Sequence, residues 1–148
     1  MTNYDLLNRQ LDALTEGVLH PIANLANAAA LLWHNLPDIN WAGFYLLEGN
    51  ALVLGPFQGK VACVEIPVGK GVCGTAVSEA ATQLVADVHC FPGHIACDCA
   101  SNSEIVIPIR KNGAIVGVLD MDSPVFDRFS DDDRIGLERF VEVLQTRL

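Results

Sequence analysis

The sequence EIVIPIRKNGAIVGVLDMD, residues 104–122, has the pattern of a β-hairpin. Two runs rich in Ile and Val, Glu104 to Ile109 and Ala114 to Asp122, flank the turn sequence Lys111-Asn112-Gly113. Runs of β-branched residues bounded by Asn and Gly are typical of antiparallel strands joined by a tight turn. We therefore predict a two-stranded antiparallel hairpin.

The length of the turn determines which side chains share a face of this hairpin. A shift of one residue in strand pairing moves every side chain to the other face. We choose a three-residue loop with Gly113 in the left-handed region, because a two-residue Asn-Gly loop would set the apolar faces apart. Glu104 then lies beside Asp120, with Asp122 two residues further along. The opposite face is apolar and holds Ile105, Ile107, Ile109, Ile115, Gly117 and Leu119.

The segments before the hairpin predict two helices followed by strands. Helical spacing of leucines predicts a helix from Asn3 to about Gly17, and Pro21 suits the first turn of a second helix that reaches about Trp33. Strand patterns follow, with one short helix among them: strands at Trp41 to Leu47, Ala51 to Gln58, Val61 to Ile66 and Thr82 to Ala86, and a helix at Val72 to Ala81.

A final helix follows the hairpin. Ser130 is a good N-cap, and residues 131–133 are three aspartates in the first turn, where the helix dipole favours negative charge. One apolar stripe runs along this helix through Leu137, Phe140, Val141, Leu144 and Leu148. The chain is therefore predicted to be a single α+β domain over residues 1–148, with a central, mostly antiparallel sheet flanked by N- and C-terminal helices.

Composition excludes several classes of function. The chain has 148 residues, 51% of them hydrophobic, which suffices for one full core without disulfides or metals. A net charge of −9 opposes binding to a phosphate backbone, so no nucleic-acid partner is expected. The longest apolar run, around residues 25–33, is too short to span a bilayer, and the N-terminus lacks a secretory signal. We therefore expect a cytoplasmic protein with no membrane contact.

Three carboxylates on one face of an apolar hairpin are unusual. Glu104, Asp120 and Asp122 could form a solvated sheet edge, since acidic residues are mostly exposed. They could instead form a site for a cation or a proton donor. Like charges held close together cannot all ionise without cost, so at least one pKa should rise. A carboxyl group that stays protonated near neutral pH can act as a general acid.

Most of the cysteines lie in the irregular segment from Asp87 to Ser103. The five are Cys63, Cys73, Cys90, Cys97 and Cys99. A reducing compartment disfavours a structural disulfide framework, so they are inert buried thiols, metal ligands or redox groups. The spacing is poor for zinc because no Cys-x-x-Cys occurs. A redox site needs a reactive thiol and a second thiol that resolves it. Neither a metal nor a cofactor is expected.

Two other patterns have a structural alternative. Trp41 and Tyr45 are four positions apart on one predicted strand and so share a face. They are core residues or an aromatic wall beside a ligand, and on the residues alone we favour core. The sequence Gly69-Lys70-Gly71 is a tight turn, because the spacing required of a phosphate-binding loop is not met.

The motifs together resemble those of the free methionine-R-sulfoxide reductases, a catalytic branch of the GAF-domain superfamily. The resemblance covers nearly the full length. A generic GAF sensor domain would lack the Phe-Pro-Gly-His-Ile-Ala-Cys run at residues 91–97. The other matching segments are NWAGFY at 40–45, GKGVCGTA at 69–76, DVH at 87–89, SEIV at 103–106 and GVLDMDS at 117–123.

The resemblance implies roles for individual residues. It implies that Cys97 is the nucleophile, that Cys63 is the main resolving thiol and that Cys73 has an auxiliary part. It also implies a substrate pocket that is acidic at one end and aromatic at the other, formed by Glu104, Asp120, Asp122, Trp41 and Tyr45. Cys90 and Cys99 fall outside the family's catalytic triplet and could form alternative disulfides.

The resemblance also implies an activity. Free L-methionine (R)-S-oxide would be reduced to L-methionine through a cysteine sulfenic acid and an intramolecular disulfide, which thioredoxin would recycle. Glu104 is the candidate proton donor to the sulfoxide oxygen. The acids should raise the pKa of Cys97, and His89, His94, a helix end or the bound substrate could offset that effect. The N-terminal helices are a candidate homodimer face. The alternative function is a non-catalytic GAF module that binds a small molecule for signalling.

Overall fold

A computed structural model describes residues 1–95 and 100–148 of the chain. These residues form four helices and six strands, with a short 3-10 helix at Val88–Cys90. The helices are α1 (Tyr4–Thr15), α2 (Pro21–Asn35), α3 (Gly71–Glu79) and α4 (Asp131–Gln145). The strands are β1 (Trp41–Glu48), β2 (Ala51–Gly59), β3 (Glu65–Pro67), β4 (Gln83–Val85), β5 (Ser103–Lys111) and β6 (Ala114–Ser123).

The strands form one antiparallel sheet in the order β3-β2-β1-β6-β5-β4. Helices α1, α2 and α4 cover one face, where the larger of two apolar clusters lies. Helix α3 packs on the other face, against a smaller cluster. This arrangement is the α+β architecture that the order of the elements predicts, and it confirms the flanking helices.

A side chain in the N-terminal cap of α4 also joins this helix to α1. Ser130 and Asp133 form a capping box at the start of α4, as the N-cap prediction requires. The Tyr4 hydroxyl donates to Asp133 Oδ1 at 2.6 Å. Gly136 lies against the Tyr4 ring, where an added Cβ would come within 2.1 Å of a ring atom. The absence of a side chain there lets α1 pack closely on α4.

The hairpin prediction is right about faces and wrong about the loop. Asn112 and Gly113 both have positive φ, +54° and +81°, so the turn has two residues rather than three. A β-bulge between Ile109 and Arg110 then shifts the pairing. The bulge brings the apolar side chains of both strands back to the same face. In the shifted register Glu104 pairs with Asp122 rather than with Asp120.

Two other predicted strands differ in the structure. The strand predicted at Val61 to Ile66 begins only at Glu65, because residues 60–64 leave the ladder. The strand predicted at Thr82 to Ala86 is present but shorter, as β4. The described residues contain no helix long and apolar enough to cross a membrane.

Candidate functional site

A pocket opens on the face of the sheet that carries α3. The empty space within it, its solvent-open mouth included, is about 530 Å³. Six of the residues singled out from the sequence line it: Trp41, Tyr45, Cys73, Glu104, Asp120 and Asp122. The remaining wall comes from residues 61–62, 71–72 and 94–95, together with Ile66 and Ser101.

Strand register explains why the acids and the aromatic rings meet. Directly opposed residues of antiparallel strands share a face. Trp41 of β1 is opposite Asp122 of β6, which is itself opposite Glu104 of β5. Asp120 is opposite Gly43, between Trp41 and Tyr45 in β1. The three central strands therefore bring all these side chains to one surface.

Gly43 is a residue that the sequence reasoning missed. A Cβ at this position would lie 2.3 Å from the Phe57 Cβ and 2.9 Å from an atom of the Trp41 ring. No side chain fits there while the Trp41 ring lies across the strand. The alternation Trp-Ala-Gly-Phe-Tyr carried the signal, because a glycine inside a strand marks a close approach of neighbouring groups.

The acidic cluster is buried rather than solvated. Glu104 is 7% exposed and Asp120 is 5% exposed, which excludes a solvated sheet edge for these two residues. Burial raises the pKa of Glu104 well above its usual range, and the charges of Asp120 and Asp122 raise it further. Burial also raises the pKa of Asp120, although hydrogen bonds from Glu104 and Cys73 oppose this. Glu104 is therefore the carboxyl group of the cluster for which both burial and its neighbours favour the protonated form.

One carboxylate oxygen in the cluster is left over. Among the described residues, Oδ1 of Asp120 is buried and has no hydrogen-bond partner. A buried polar atom without a partner is destabilising unless a ligand or water satisfies it. Since Asp120 lines the pocket, a donor brought by a ligand would satisfy this atom.

Cys73 lies beside the acids on the first turn of α3. Its thiol hydrogen-bonds to Asp120, and burial followed by the nearby carboxylates raises its pKa well above the usual value. The Cys73 thiol is therefore protonated and is a poor nucleophile in this state. Ligand atoms of Cys73, Glu104 and Asp120 lie within 4.8 Å of one another, so the same cluster can surround a small cationic group.

The aromatic residues are both core and pocket wall. Trp41 and Tyr45 are buried in the smaller apolar cluster and also line the cavity. Their rings stack with centroids 5.8 Å apart, and Phe57 stacks on the other side of Trp41 at 5.2 Å. The core interpretation favoured from the sequence is therefore confirmed, and the same rings also line the cavity.

The polar ends of these two rings contact a neighbouring segment. The Trp41 indole Nε1–H donates to the carbonyl oxygen of Lys60 at 3.1 Å. The Tyr45 hydroxyl donates to the carbonyl oxygen of Cys63 at 2.9 Å. The rings therefore face the pocket while their donors hold the chain beside it.

The cysteines have different states. Cys63 is joined in a disulfide bond, whereas Cys73 is free and buried and Cys90 is free and exposed. A hydrogen bond with Asp87 raises the pKa of the Cys90 thiol. Cys97 and Cys99, for which the sequence predicts a nucleophile and an extra thiol, lie outside the described residues.

His94 does not bring a positive charge to the pocket wall. His94 lines the pocket, and burial lowers its pKa, so its ring is neutral near neutral pH. His89 pairs with Asp87 at 2.8 Å on the surface. The neutral ring of His94 therefore does little to stabilise a nearby cysteine thiolate.

Similarity to known proteins covers nearly the whole chain. Residues 10–148 match the GAF domain family. The chain is 60% identical over 142 residues to free methionine-R-sulfoxide reductase of Escherichia coli (strain K12). The matched region covers 96% of this chain and 86% of that protein.

Two solved structures extend this similarity to three dimensions. The reduced form of fRMsr of Staphylococcus aureus matches with a TM-score of 0.98 and 60% identity, over 100% of this chain and 96% of that one. Free methionine-R-sulfoxide reductase from Neisseria meningitidis in complex with its substrate matches with a TM-score of 0.94 and 40% identity, over 97% of this chain and 87% of that one.

Proposed function

The chain belongs to the GAF-domain family and, within it, to the free methionine-R-sulfoxide reductases, and from this premise we propose how its pocket carries out the reduction. The enzyme is an oxidoreductase whose substrate is free methionine-R-sulfoxide. The observation that carries the proposal is the buried acidic cluster facing stacked aromatic rings across one cavity.

The acidic end of the pocket suits the ammonium group of a free amino acid. An ammonium donates three hydrogen bonds, and the unpartnered Oδ1 of Asp120 accepts one of them in this proposal. A methionine sulfoxide within a polypeptide has an amide nitrogen instead and brings no charge to balance the acids. Selectivity for the free amino acid follows from that difference. The Trp41 and Tyr45 rings then pack against the apolar end of the substrate.

Glu104 is the proposed proton donor to the sulfoxide oxygen. The sulfoxide sulfur becomes susceptible to attack when its oxygen is protonated, and a carboxyl group with a raised pKa still holds the proton that this step needs. Asp120 and Asp122 contribute by raising the pKa of Glu104.

The redox steps are assigned to Cys97 and Cys63. The Cys97 thiolate attacks the sulfoxide sulfur, methionine leaves, and the sulfoxide oxygen remains on Cys97 as a sulfenic acid. Cys63 then condenses with the sulfenic acid to form a disulfide and release water. The disulfide bond of Cys63 in this structure supports its role as the resolving thiol. Cys73, buried and protonated, is proposed as an auxiliary thiol.

Two features of the cycle lie beyond the pocket. We assign the reduction of the disulfide to thioredoxin, whose dithiol is oxidised as Cys97 and Cys63 are restored, and we place the reaction in the cytoplasm, where such a reductant is available. A homodimer through the N-terminal helices is proposed because Leu6, Leu14, Leu19 and Ile22 are exposed there.

Thiol counting separates the enzyme from a non-catalytic GAF sensor. The reduced protein is mixed, without reductant, with each epimer of methionine sulfoxide, either free or within a peptide. We expect loss of two thiols and release of one methionine per chain with the free R epimer alone. Cys97→Ser should abolish both signals, and Cys90→Ser should leave both unchanged. Binding of the free amino acid with no thiol loss would instead support the sensor.

A further inference from the structure

Residues 60–64, which we call the Cys63 segment, connect β2 to β3 without joining the ladder. Val61 is 88% exposed, and Val64 is also exposed. Only Ala62 and Cys63 of this segment pack against the smaller apolar cluster. The segment has little burial of its own, and it is also held by the disulfide bond of Cys63 and by a hydrogen bond from the Leu54 N–H to the Val64 carbonyl oxygen at 2.9 Å.

Two side chains of β1 are aimed at the backbone of this segment. Trp41 donates to the carbonyl oxygen of Lys60, at its start, and Tyr45 donates to the carbonyl oxygen of Cys63 itself. Both donors belong to buried rings in a central strand, so they are rigidly placed. Tyr45 lies 18 residues from Cys63 in the chain, so this contact is tertiary.

We propose that Tyr45, assisted by Trp41, is a positioning residue that holds Cys63 in place for disulfide formation. This inference rests on the proposed function and adds a second role to a residue already placed in the pocket wall. The ring of Tyr45 faces the substrate, and its hydroxyl fixes the thiol that acts after the substrate has been reduced.

The step that depends on this position is the second one. The Cys63 sulfur attacks the sulfenic sulfur of Cys97, the S–S bond forms, the S–O bond breaks, and the oxygen leaves as water with the thiol proton and the sulfenic proton. Both cysteines end oxidised, and no further oxidant is consumed. The rate of such an intramolecular step depends steeply on how closely the reacting atoms are held. Loss of the anchor therefore slows this step.

Tyr45→Phe tests the inference because it removes the hydroxyl and keeps the ring. Tyr4→Phe is the matched control, since it removes a tyrosine hydroxyl that donates to Asp133, between α1 and α4. Reduced protein is mixed with free methionine-R-sulfoxide and quenched at intervals. Released methionine, sulfenic acid trapped by dimedone, and the disulfide are each measured by mass spectrometry.

We expect the sulfenic acid of Tyr45→Phe to persist about tenfold longer after methionine release than that of the wild type, whatever the rate of methionine release itself. In steady state with thioredoxin, kcat should fall by more than kcat/KM, because the slowed step follows the release of methionine. Trp41→Phe removes the other anchor and should also prolong the sulfenic acid. Tyr4→Phe should behave as the wild type.

Three results would count against the inference. Disulfide formation at the wild-type rate in both Tyr45→Phe and Trp41→Phe would overturn it. A fall in kcat/KM with an unchanged sulfenic lifetime would show that the Tyr45 hydroxyl serves the substrate instead. A wild-type protein that releases no methionine would refute the proposed function, whereas normal methionine release with an unaffected disulfide step would refute the positioning role alone.

Discussion

The two faces of the central hairpin differ in what they bury. The face toward α1, α2 and α4 is apolar throughout, with Ile105, Ile107, Leu119 and Met121 fully or almost fully buried. The face toward α3 carries Glu104 and Asp120, equally buried, among apolar and aromatic neighbours. Since neighbours along each strand point to opposite sides, one pair of strands supplies stability on one face and chemistry on the other.

Burying carboxyl groups is unfavourable, and the pocket face shows that cost. The raised pKa values of Glu104 and Asp120 mean that their charged forms are less stable in the folded chain than in water. The face toward α1, α2 and α4 buries apolar side chains instead, and the stability gained there offsets the cost of burying the carboxyl groups on the pocket face. The comparison predicts that mutations on the two faces will separate activity from stability.

The largest effect is expected from Glu104→Gln on the pocket face. The amide cannot donate the proton that the sulfoxide oxygen needs, and loss of a general acid commonly lowers rates by about 10² to 10⁴-fold. The free energy of unfolding should stay the same or rise, because a buried carboxyl group is removed. Methionine release is measured for activity, and urea unfolding for stability.

The exposed Glu142, on α4, provides the control for this variant. Glu142→Gln should change neither rate nor stability. Retention of more than a tenth of the wild-type rate by Glu104→Gln would show that another group supplies the proton.

The next effect is expected from Leu119→Ala on the helical face. Leu119 is buried between the sheet and the helices, and such a truncation removes apolar contacts and leaves a cavity, at about 2–5 kcal/mol. The initial rate per folded molecule should remain near that of the wild type, because Leu119 points away from the pocket. Urea unfolding and active-site titration by methionine release measure the two quantities.

A large loss of rate per folded molecule in Leu119→Ala would break the separation between the faces. Leu84→Ala, at an exposed leucine of β4, is the control and should cost less than about 1 kcal/mol.

The hairpin also shows how far sequence reasoning reaches. The placement of Ile105, Ile107 and Leu119 at alternate positions to Glu104 and Asp120 predicts both faces, because successive side chains of a strand point to opposite sides. The pairing of Glu104 with Asp122 was missed, because it depends on the bulge near Ile109 and on a two-residue turn at Asn112. Those are choices of local backbone geometry that several sequences tolerate, and here the two errors cancel as far as the faces are concerned.

The Cys63 segment shows what the sequence does not contain. Val61 and Val64 have high strand propensity, and a strand was predicted there, but the carbonyl oxygens of Lys60 and Cys63 accept hydrogen bonds from β1 side chains instead. Tertiary contacts override local propensity at such places. The aromatic pair was recognised as pocket wall or core, yet no periodic pattern reveals that its polar ends reach a segment 18 or 19 residues away.

The smallest effect, and the most specific to the difference between the faces, is expected from Asp120→Asn. The pKa of Asp120 is raised in the folded chain, so the folded state holds this proton at pH values where the unfolded state has lost it. Its contribution to stability is present in full below the unfolded pKa, near 4, and is lost as pH rises through the folded pKa. The wild type should therefore lose stability over that interval, and Asp120→Asn should flatten the decline and gain on the order of 1 kcal/mol at neutral pH.

Asp132→Asn, in the exposed first turn of α4, should leave the pH profile unchanged. Urea unfolding at a series of pH values distinguishes the two, and a profile for Asp120→Asn that overlays the wild type would mean that burial of this carboxyl group carries no cost for the fold.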